Sequence, residues 1–113
     1  MDTNVKQKID ELLAKNRVLL FVKGTKSFPQ CGFSSAVINV FKEIGVPFET
    51  VNILQEGDLR TGMKEYSNWP TFPQIYVGGE FLGGCDIIRE MHAKGELAPI
   101  VQKAVATDAA KPG

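Results

Sequence analysis

Cys31 has the clearest chemical potential of any residue in this sequence. It follows a strand-like run and a loop, and it stands directly before a segment with helical periodicity. Free backbone N–H groups and the positive dipole at a helix start stabilise a thiolate and lower the pKa of a cysteine. Lys23, nearby in the sequence, adds a positive charge. These features predict a reactive thiolate, and the alternative is a buried, inert cysteine.

The motif that begins at Cys31 has serine, not cysteine, at its fourth position, Ser34. A dithiol oxidoreductase uses Cys-x-x-Cys because the second thiol releases a mixed disulfide. Serine cannot do this, although it can cap a helix or donate a hydrogen bond to sulfur. One cysteine is also too few for an iron–sulfur site built from four cysteines. Either chemistry therefore requires a small external thiol such as glutathione, or a second subunit.

The elements that position Cys31 follow from the periodicity of apolar residues and from turn signals. Apolar periodicity predicts helices over residues 4–16, 33–44, 58–67, 86–93 and 97–104. Runs of β-formers predict strands over residues 17–22, 48–53, 74–77 and 80–82. The last two strands flank Gly78-Gly79, a two-residue turn typical of a β-hairpin. We expect a loop over residues 23–30 and a frayed, flexible tail over residues 106–113.

The predicted order, α-β-α-β-α-β-β-α-α, is typical of the thioredoxin fold. This is an α/β architecture in which helices flank both faces of a four-stranded mixed sheet. Right-handed crossovers make the first two strands parallel and place the first strand centrally. We expect one such domain over residues 1–105.

Composition excludes several classes of function. The 113 residues are 43% hydrophobic and 23% charged, as in an ordinary soluble domain. Thirteen basic and thirteen acidic side chains give no support for binding to nucleic acid or to a membrane surface. No apolar run has the length of a membrane span or of a signal-peptide core. Two distant cysteines favour a reducing compartment over a disulfide-stapled secreted domain.

Four motifs together carry a family resemblance. They are Lys23-Gly24-Thr25, Cys31-Gly32-Phe33-Ser34, Trp69-Pro70-Thr71-Phe72-Pro73 and Gly83-Gly84-Cys85-Asp86. In this order and spacing, from about residue 5 to residue 104, the sequence resembles the CGFS class of monothiol glutaredoxins. The resemblance implies a thioredoxin fold, a glutathione site and Cys31 as the catalytic thiol.

The resemblance also implies how the cysteinyl unit of glutathione is bound. Phe72-Pro73 resembles the cis-proline turn of thioredoxin-like proteins, and the alternative is a trans proline that starts an edge strand. In the family, the backbone of the residue before this proline pairs with the cysteinyl unit. That role passes to Phe72, with Thr71 beside it. Trp69 is expected to help shape the site, with plain packing as the alternative.

Glutathione has two carboxylates and an amino group, and the resemblance implies partners for each. Lys23, Arg60 and Lys64 are expected to receive the glycyl carboxylate. Arg60 and Lys64 are four residues apart and share a helix face, although a solvated cationic face is the alternative.

The predicted helix start at residues 83–86 offers N–H groups to the γ-glutamyl carboxylate. Asp86 pairs with the amino group, caps the helix, or does both. Cys85 contributes its backbone; its thiol either forms a disulfide with Cys31 or packs as a small side chain. His92, the one histidine, is expected to be solvated and is given no metal role.

Two functions follow from the resemblance. In the first, two Cys31 thiolates of a homodimer and two glutathione thiolates hold a [2Fe–2S] cluster. The cluster is then the cofactor, and Cys31 is its protein ligand. The partners implied are BolA-like proteins and apo iron–sulfur recipient proteins. In the second, Cys31 removes glutathione from protein mixed disulfides. A binding adaptor with an incidental thiol is a third, weaker interpretation.

The stretch over residues 27–31 and the single-domain length resemble plastid and cyanobacterial members of the class. They predict the chloroplast stroma, with the mitochondrial matrix or a bacterial cytoplasm as alternatives.

Overall fold

The nine predicted elements are present in the predicted order. The computed structural model describes residues 1–110, with side chains through residue 106. The helices are α1 Thr3–Lys15, α2 Gly32–Ile44, α3 Gly57–Ser67, α4 Cys85–Ala93 and α5 Leu97–Ala110. The strands are β1 Val18–Val22, β2 Glu49–Asn52, β3 Gln74–Val77 and β4 Glu80–Gly83.

The four strands form one mixed sheet in the order β2-β1-β3-β4. β1 runs parallel to β2 and antiparallel to β3, and β4 pairs antiparallel with β3. The β3–β4 turn passes through Gly78 and Gly79, whose φ angles of 62° and 82° favour glycine. The parallel first pair, the interior position of β1 and the hairpin therefore confirm the prediction.

β1 is buried along its whole length because helices cover both faces of the sheet. Successive side chains of a strand point to opposite faces. Val18, Leu20 and Val22 join a core with α2, α4 and α5. Leu19 and Phe21 join a second core with α1 and α3. These two cores hold the end of β1, and hence the loop that leads to Cys31, in place.

The last helix is longer than predicted. α5 runs to Ala110, whereas apolar periodicity predicted an end at residue 104. It therefore includes part of the expected flexible tail, and residues 111–113 of that tail lie outside the described residues. None of the helices over residues 1–110 has the length and apolarity needed to cross a membrane.

The loop over residues 23–30 is a tight hairpin-like turn. The Gln30 N–H donates to the Lys23 carbonyl oxygen at 2.8 Å, and Gly24 bridges to Pro29. The Gly24 N–H donates to Asn52 Oδ1 at 3.0 Å, which ties the loop to the end of β2. Gly24 has a φ of 101°, and a Cβ there would lie 2.5 Å from the Gln30 nitrogen. The loop therefore requires glycine at this position.

We predict that Gly24→Ala lowers the free energy of unfolding by about 2 kcal/mol, because alanine is strained at this φ and collides with backbone. Gly57→Ala is the matched control: a Cβ at Gly57 meets nothing within 4 Å. We expect it to change stability by less than about 0.5 kcal/mol. Urea denaturation measures both values. Equal effects of the two substitutions would contradict the role assigned to Gly24.

Candidate functional site

Cys31 lies at the N-cap of α2, with its thiol half-buried. The backbone N–H of Ser34 is the main cause of a lowered pKa of this thiol, and burial opposes it. The Phe33 N–H, the charge of Lys23 and the Ser34 hydroxyl lower the pKa further. The helix start thus stabilises the thiolate as expected from the sequence.

Ser34 is a buried polar residue that joins α2 to β1. Its side chain is fully buried, and its Oγ accepts the Lys23 N–H at 3.0 Å. α2 has no side-chain cap hydrogen bond, so Ser34 does not cap the helix. Instead, its oxygen satisfies the first backbone donor beyond β1. This bond holds Lys23 and Cys31 on the same side of the molecule.

The thiol opens onto a groove of about 440 Å³. Six predicted site residues line this groove: Lys23, Cys31, Thr71, Phe72, Cys85 and Asp86. The other residues that line it are Phe33, Trp69, Pro73, Gly84 and Ile87. Three separate parts of the chain therefore converge on one site.

Arg60 and Lys64 are the two predicted site residues that do not line the groove. Both are exposed on α3 and are not among the residues that line the groove. Their roles as glutathione ligands stay predictions. Phe33 and Ile87 line the groove although sequence reasoning gave them no role; they are 60% and 38% exposed. The sequence signal that could have identified them is their position, because each follows a predicted site residue within two positions.

One wall of the groove is the segment that ends in Phe72-Pro73. The peptide bond between these residues is cis, which confirms the prediction and excludes the trans alternative. Phe72 is buried at 6% exposure, whereas Thr71 is exposed. The wall thus presents Thr71 to solvent and anchors Phe72 in the core.

The start of α4 also lines the groove. Gly84 is its N-cap and Asp86 is an exposed acid of its first turn, so Asp86 does not occupy the cap position. No side chain caps this helix, which leaves its first N–H groups available to a carboxylate. A Cβ on Gly84 would lie 3.2 Å from Trp69 Nε1 and 3.4 Å from the Pro73 carbonyl oxygen. Glycine therefore allows the indole to pack over this helix start.

Cys85 differs from Cys31 in its burial and in the direction of its pKa shift. It is 8% exposed and belongs to the core between the sheet, α2 and α4. Burial raises the pKa of its thiol, although the Arg89 charge opposes that shift. Both cysteines are free thiols in this structure. Cys85 thus packs as a small buried side chain among the residues that line the groove.

Metal-binding side chains do not cluster in the part of the chain that is described. No group of three or more His, Cys, Asp or Glu residues there could hold a metal ion. His92 Nε2 lies 3.2 Å from Glu43 Oε2 on the surface between α4 and α2.

We predict that Cys31 is alkylated by iodoacetamide with a pH midpoint below the ordinary thiol value of about 8.5, because the thiolate is the nucleophile. Lys23→Gln should move the midpoint upward by removing a stabilising charge. Cys85 should react slowly over the same range because it is buried and its pKa is raised. Mass spectrometry of the two cysteine peptides measures both rates. Equal reactivity would contradict the assignment of Cys31 as the activated thiol.

Known proteins place the chain in a family. The glutaredoxin family model matches residues 18–82. The "uncharacterized monothiol glutaredoxin ycf64-like" of Synechocystis is 49% identical over 107 residues, which cover 95% of this chain and 100% of that protein. The solution structure of reduced poplar apo GrxS14 is 53% identical with a TM-score of 0.81, covering 90% of this chain and 94% of that one.

Another solved structure shares the fold, and the names of further relatives include several compartments. The buckwheat glutaredoxin–glutathione complex has a TM-score of 0.77 at 24% identity, covering 92% of this chain and 96% of that one, and shows the shared fold. Further relatives are chloroplastic, mitochondrial and bacterial monothiol glutaredoxins. This chain spans 58% of the length of the chloroplastic proteins from Arabidopsis thaliana and rice. The thioredoxin fold is confirmed, and the chain belongs to the monothiol glutaredoxins.

Proposed function

We propose that the groove binds glutathione and that Cys31, together with the bound glutathione thiolate, holds a [2Fe–2S] cluster between two copies of the chain. The cluster is cargo for apo iron–sulfur proteins. The observation that carries this proposal is a stabilised thiolate that opens onto a groove with donors for anionic groups. One thiolate per chain is all that the described residues supply.

The chemistry of the groove matches the charges of glutathione. Lys23 offers a cation to one carboxylate, and the uncapped start of α4 offers N–H groups to the other. The exposed Asp86 carboxylate suits the ammonium group. The backbone at Thr71 and Phe72 is left for the cysteinyl unit. Arg60 and Lys64 remain proposed ligands of the glycyl carboxylate, reaching from α3 beyond the lining of the groove.

The cluster role follows from counting sulfur ligands. A [2Fe–2S] cluster needs four protein or cofactor ligands, and where protein cysteines alone hold it, these are four thiolates. Cys85 is buried with a raised pKa, so Cys31 is the thiolate that this chain offers. Bound glutathione adds a second, and a second copy doubles the number to four. Phe33 and Ile87, exposed apolar side chains beside the thiol, favour a protein surface over this face.

A glutathione-dependent oxidoreductase is the second candidate, because the same low-pKa thiolate supports it. The Cys31 thiolate would attack the glutathione sulfur of a protein mixed disulfide, and the protein thiolate would leave. A second glutathione thiolate would then attack the Cys31–glutathione disulfide, releasing oxidised glutathione and the Cys31 thiolate. Ser34 is compatible with this route because no second protein thiol takes part.

Partners and compartment are part of the proposal. BolA-like proteins and apo recipients are the proposed exchange partners of the cluster-bound homodimer. The chloroplast stroma is the proposed compartment, supported by the chloroplastic names of two relatives. The mitochondrial and bacterial relatives keep the mitochondrial matrix and a bacterial cytoplasm as alternatives.

Anaerobic reconstitution with iron, sulfide and glutathione tests the carrier. We expect visible charge-transfer bands and circular dichroism that appear together with a dimer in gel filtration. Both signals should require glutathione and vanish in Cys31→Ser, because the chain's sulfur ligand is removed. Cys85→Ser, which changes the other thiol and keeps the backbone, should still assemble the coloured dimer.

No cluster in the wild type under these conditions would overturn the carrier function. Rapid reduction of a glutathionylated peptide by that same protein would then favour the oxidoreductase.

Glutathione affinity tests the ligand independently of iron. We predict that Lys23→Gln raises the Kd for reduced glutathione about tenfold, because a charge-assisted contact to a carboxylate is lost. Lys42→Gln is the matched control, since Lys42 is exposed in the last turn of α2, away from the thiol. Calorimetry measures each Kd, and Arg60→Gln in the same series tests the proposed role of α3. Equal Kd values for wild type and Lys23→Gln would contradict the lysine assignment.

A further inference from the structure

Gln74 is a polar side chain buried in the core, outside the lining of the groove. It lies at the start of β3 and is 0% exposed. Among the described residues it shares this state only with Ser34. A buried amide is costly unless its donors and acceptor are paired. The partners of Gln74 therefore indicate what the residue does.

The amide of Gln74 links the groove wall to the core. Its Nε2 donates to the Trp69 carbonyl oxygen at 3.0 Å and to the Thr71 carbonyl oxygen at 3.4 Å. Its Oε1 accepts from the Tyr76 hydroxyl at 3.2 Å. Residues 69–73 belong to no helix or strand, so these carbonyls have no ladder partner. One side chain thus supplies the hydrogen bonds that regular structure would otherwise supply.

Tyr76 fixes the orientation of this amide. Its ring packs edge-on against Phe21, with 5.5 Å between centroids, and tilted against Phe81, with 5.4 Å between centroids. Burial raises the pKa of the Tyr76 phenol, so the hydroxyl remains a donor across the physiological range. Because Oε1 is held by this hydroxyl, the NH₂ group is directed toward the carbonyls of the wall. A rigid aromatic cluster therefore sets the position of residues 69–72.

We propose that Gln74 is a positioning residue for glutathione: it holds the Trp69–Phe72 wall of the groove in its binding conformation without touching the ligand. This inference rests on the proposed binding of glutathione in that groove. Without the amide, the wall samples other conformations, and the apparent Kd equals the intrinsic Kd divided by the fraction of molecules that stay competent. We therefore expect loss of the amide to weaken glutathione binding in a protein that is still folded.

Calorimetric titration with reduced glutathione tests the assignment at a temperature well below unfolding. Gln74→Met keeps the approximate volume and removes the amide, and we expect its Kd to rise about tenfold. Tyr76→Phe removes only the hydroxyl that orients the amide, and a rise of about threefold is expected. The alkylation rate of Cys31 should stay at the wild-type value in both variants, because the hydrogen bonds of this amide go to Trp69, Thr71 and Tyr76 and not to the start of α2.

Gln74→Glu tests whether protonation of the side chain restores glutathione binding. When ionised, its carboxylate faces two carbonyl oxygens and donates nothing; when protonated, it regains one donor. Its glutathione affinity should therefore improve as pH falls from 8 to about 5.5, relative to wild type over the same range. Tyr76, the titratable group bonded to this side chain, stays un-ionised throughout.

The outcomes separate this inference from the proposed function. Wild type that fails to bind glutathione overturns the proposed function. Wild type that binds, with Gln74→Met within about twofold of it, overturns the positioning role. Cys31 alkylation that changes in parallel with binding would mean general disruption and would also overturn it. Should Gln74→Met fail to fold, Tyr76→Phe and the pH profile of Gln74→Glu decide the matter by the same criteria.

Discussion

The junction between the end of β1 and the first turn of α2 is the constraint on which the site depends. β1 is paired on both edges and covered on both faces, so its last residue has little freedom. The bond from the Lys23 N–H to Ser34 Oγ carries this rigidity into α2. The Ser34 and Phe33 N–H groups are therefore held toward Cys31 before any ligand arrives. Donors fixed by a packed core stabilise a thiolate without the cost of ordering them.

The two cysteines show that residue type alone does not determine reactivity. Each lies at the start of a helix, Cys31 at the N-cap of α2 and Cys85 as the first residue of α4. Directed N–H groups lower the pKa of Cys31, whereas burial dominates at Cys85 and raises its pKa. A helix start thus activates a thiol only where the sulfur reaches the N–H groups and solvent. We therefore expect one reactive sulfur in the groove, although two cysteines line it.

Much of this architecture could be predicted from local sequence signals, because those signals and the tertiary contacts agree. The apolar run of β1, the Gly78-Gly79 turn and the position of Cys31 are all features of neighbouring residues. The hydrogen bonds of Ser34 and Gln74 were not predicted, since they join residues whose contact arises only after the sheet and helices have packed. Sequence periodicity also does not reveal whether a serine near a helix start caps that helix or faces inward. The absence of Arg60 and Lys64 from the groove lining has the same origin, because a shared helix face does not say what that face meets.

The irregular segments around the groove follow one physical rule. Backbone groups outside helices and strands still need partners when they are buried. Here polar side chains of neighbouring regular elements supply three such partners: Ser34 of α2 for Lys23, Asn52 of β2 for Gly24, and Gln74 of β3 for Trp69. These bonds tie the loops to the rigid core. A ligand that enters the groove meets walls that are already ordered, so less of its binding free energy is spent on ordering them.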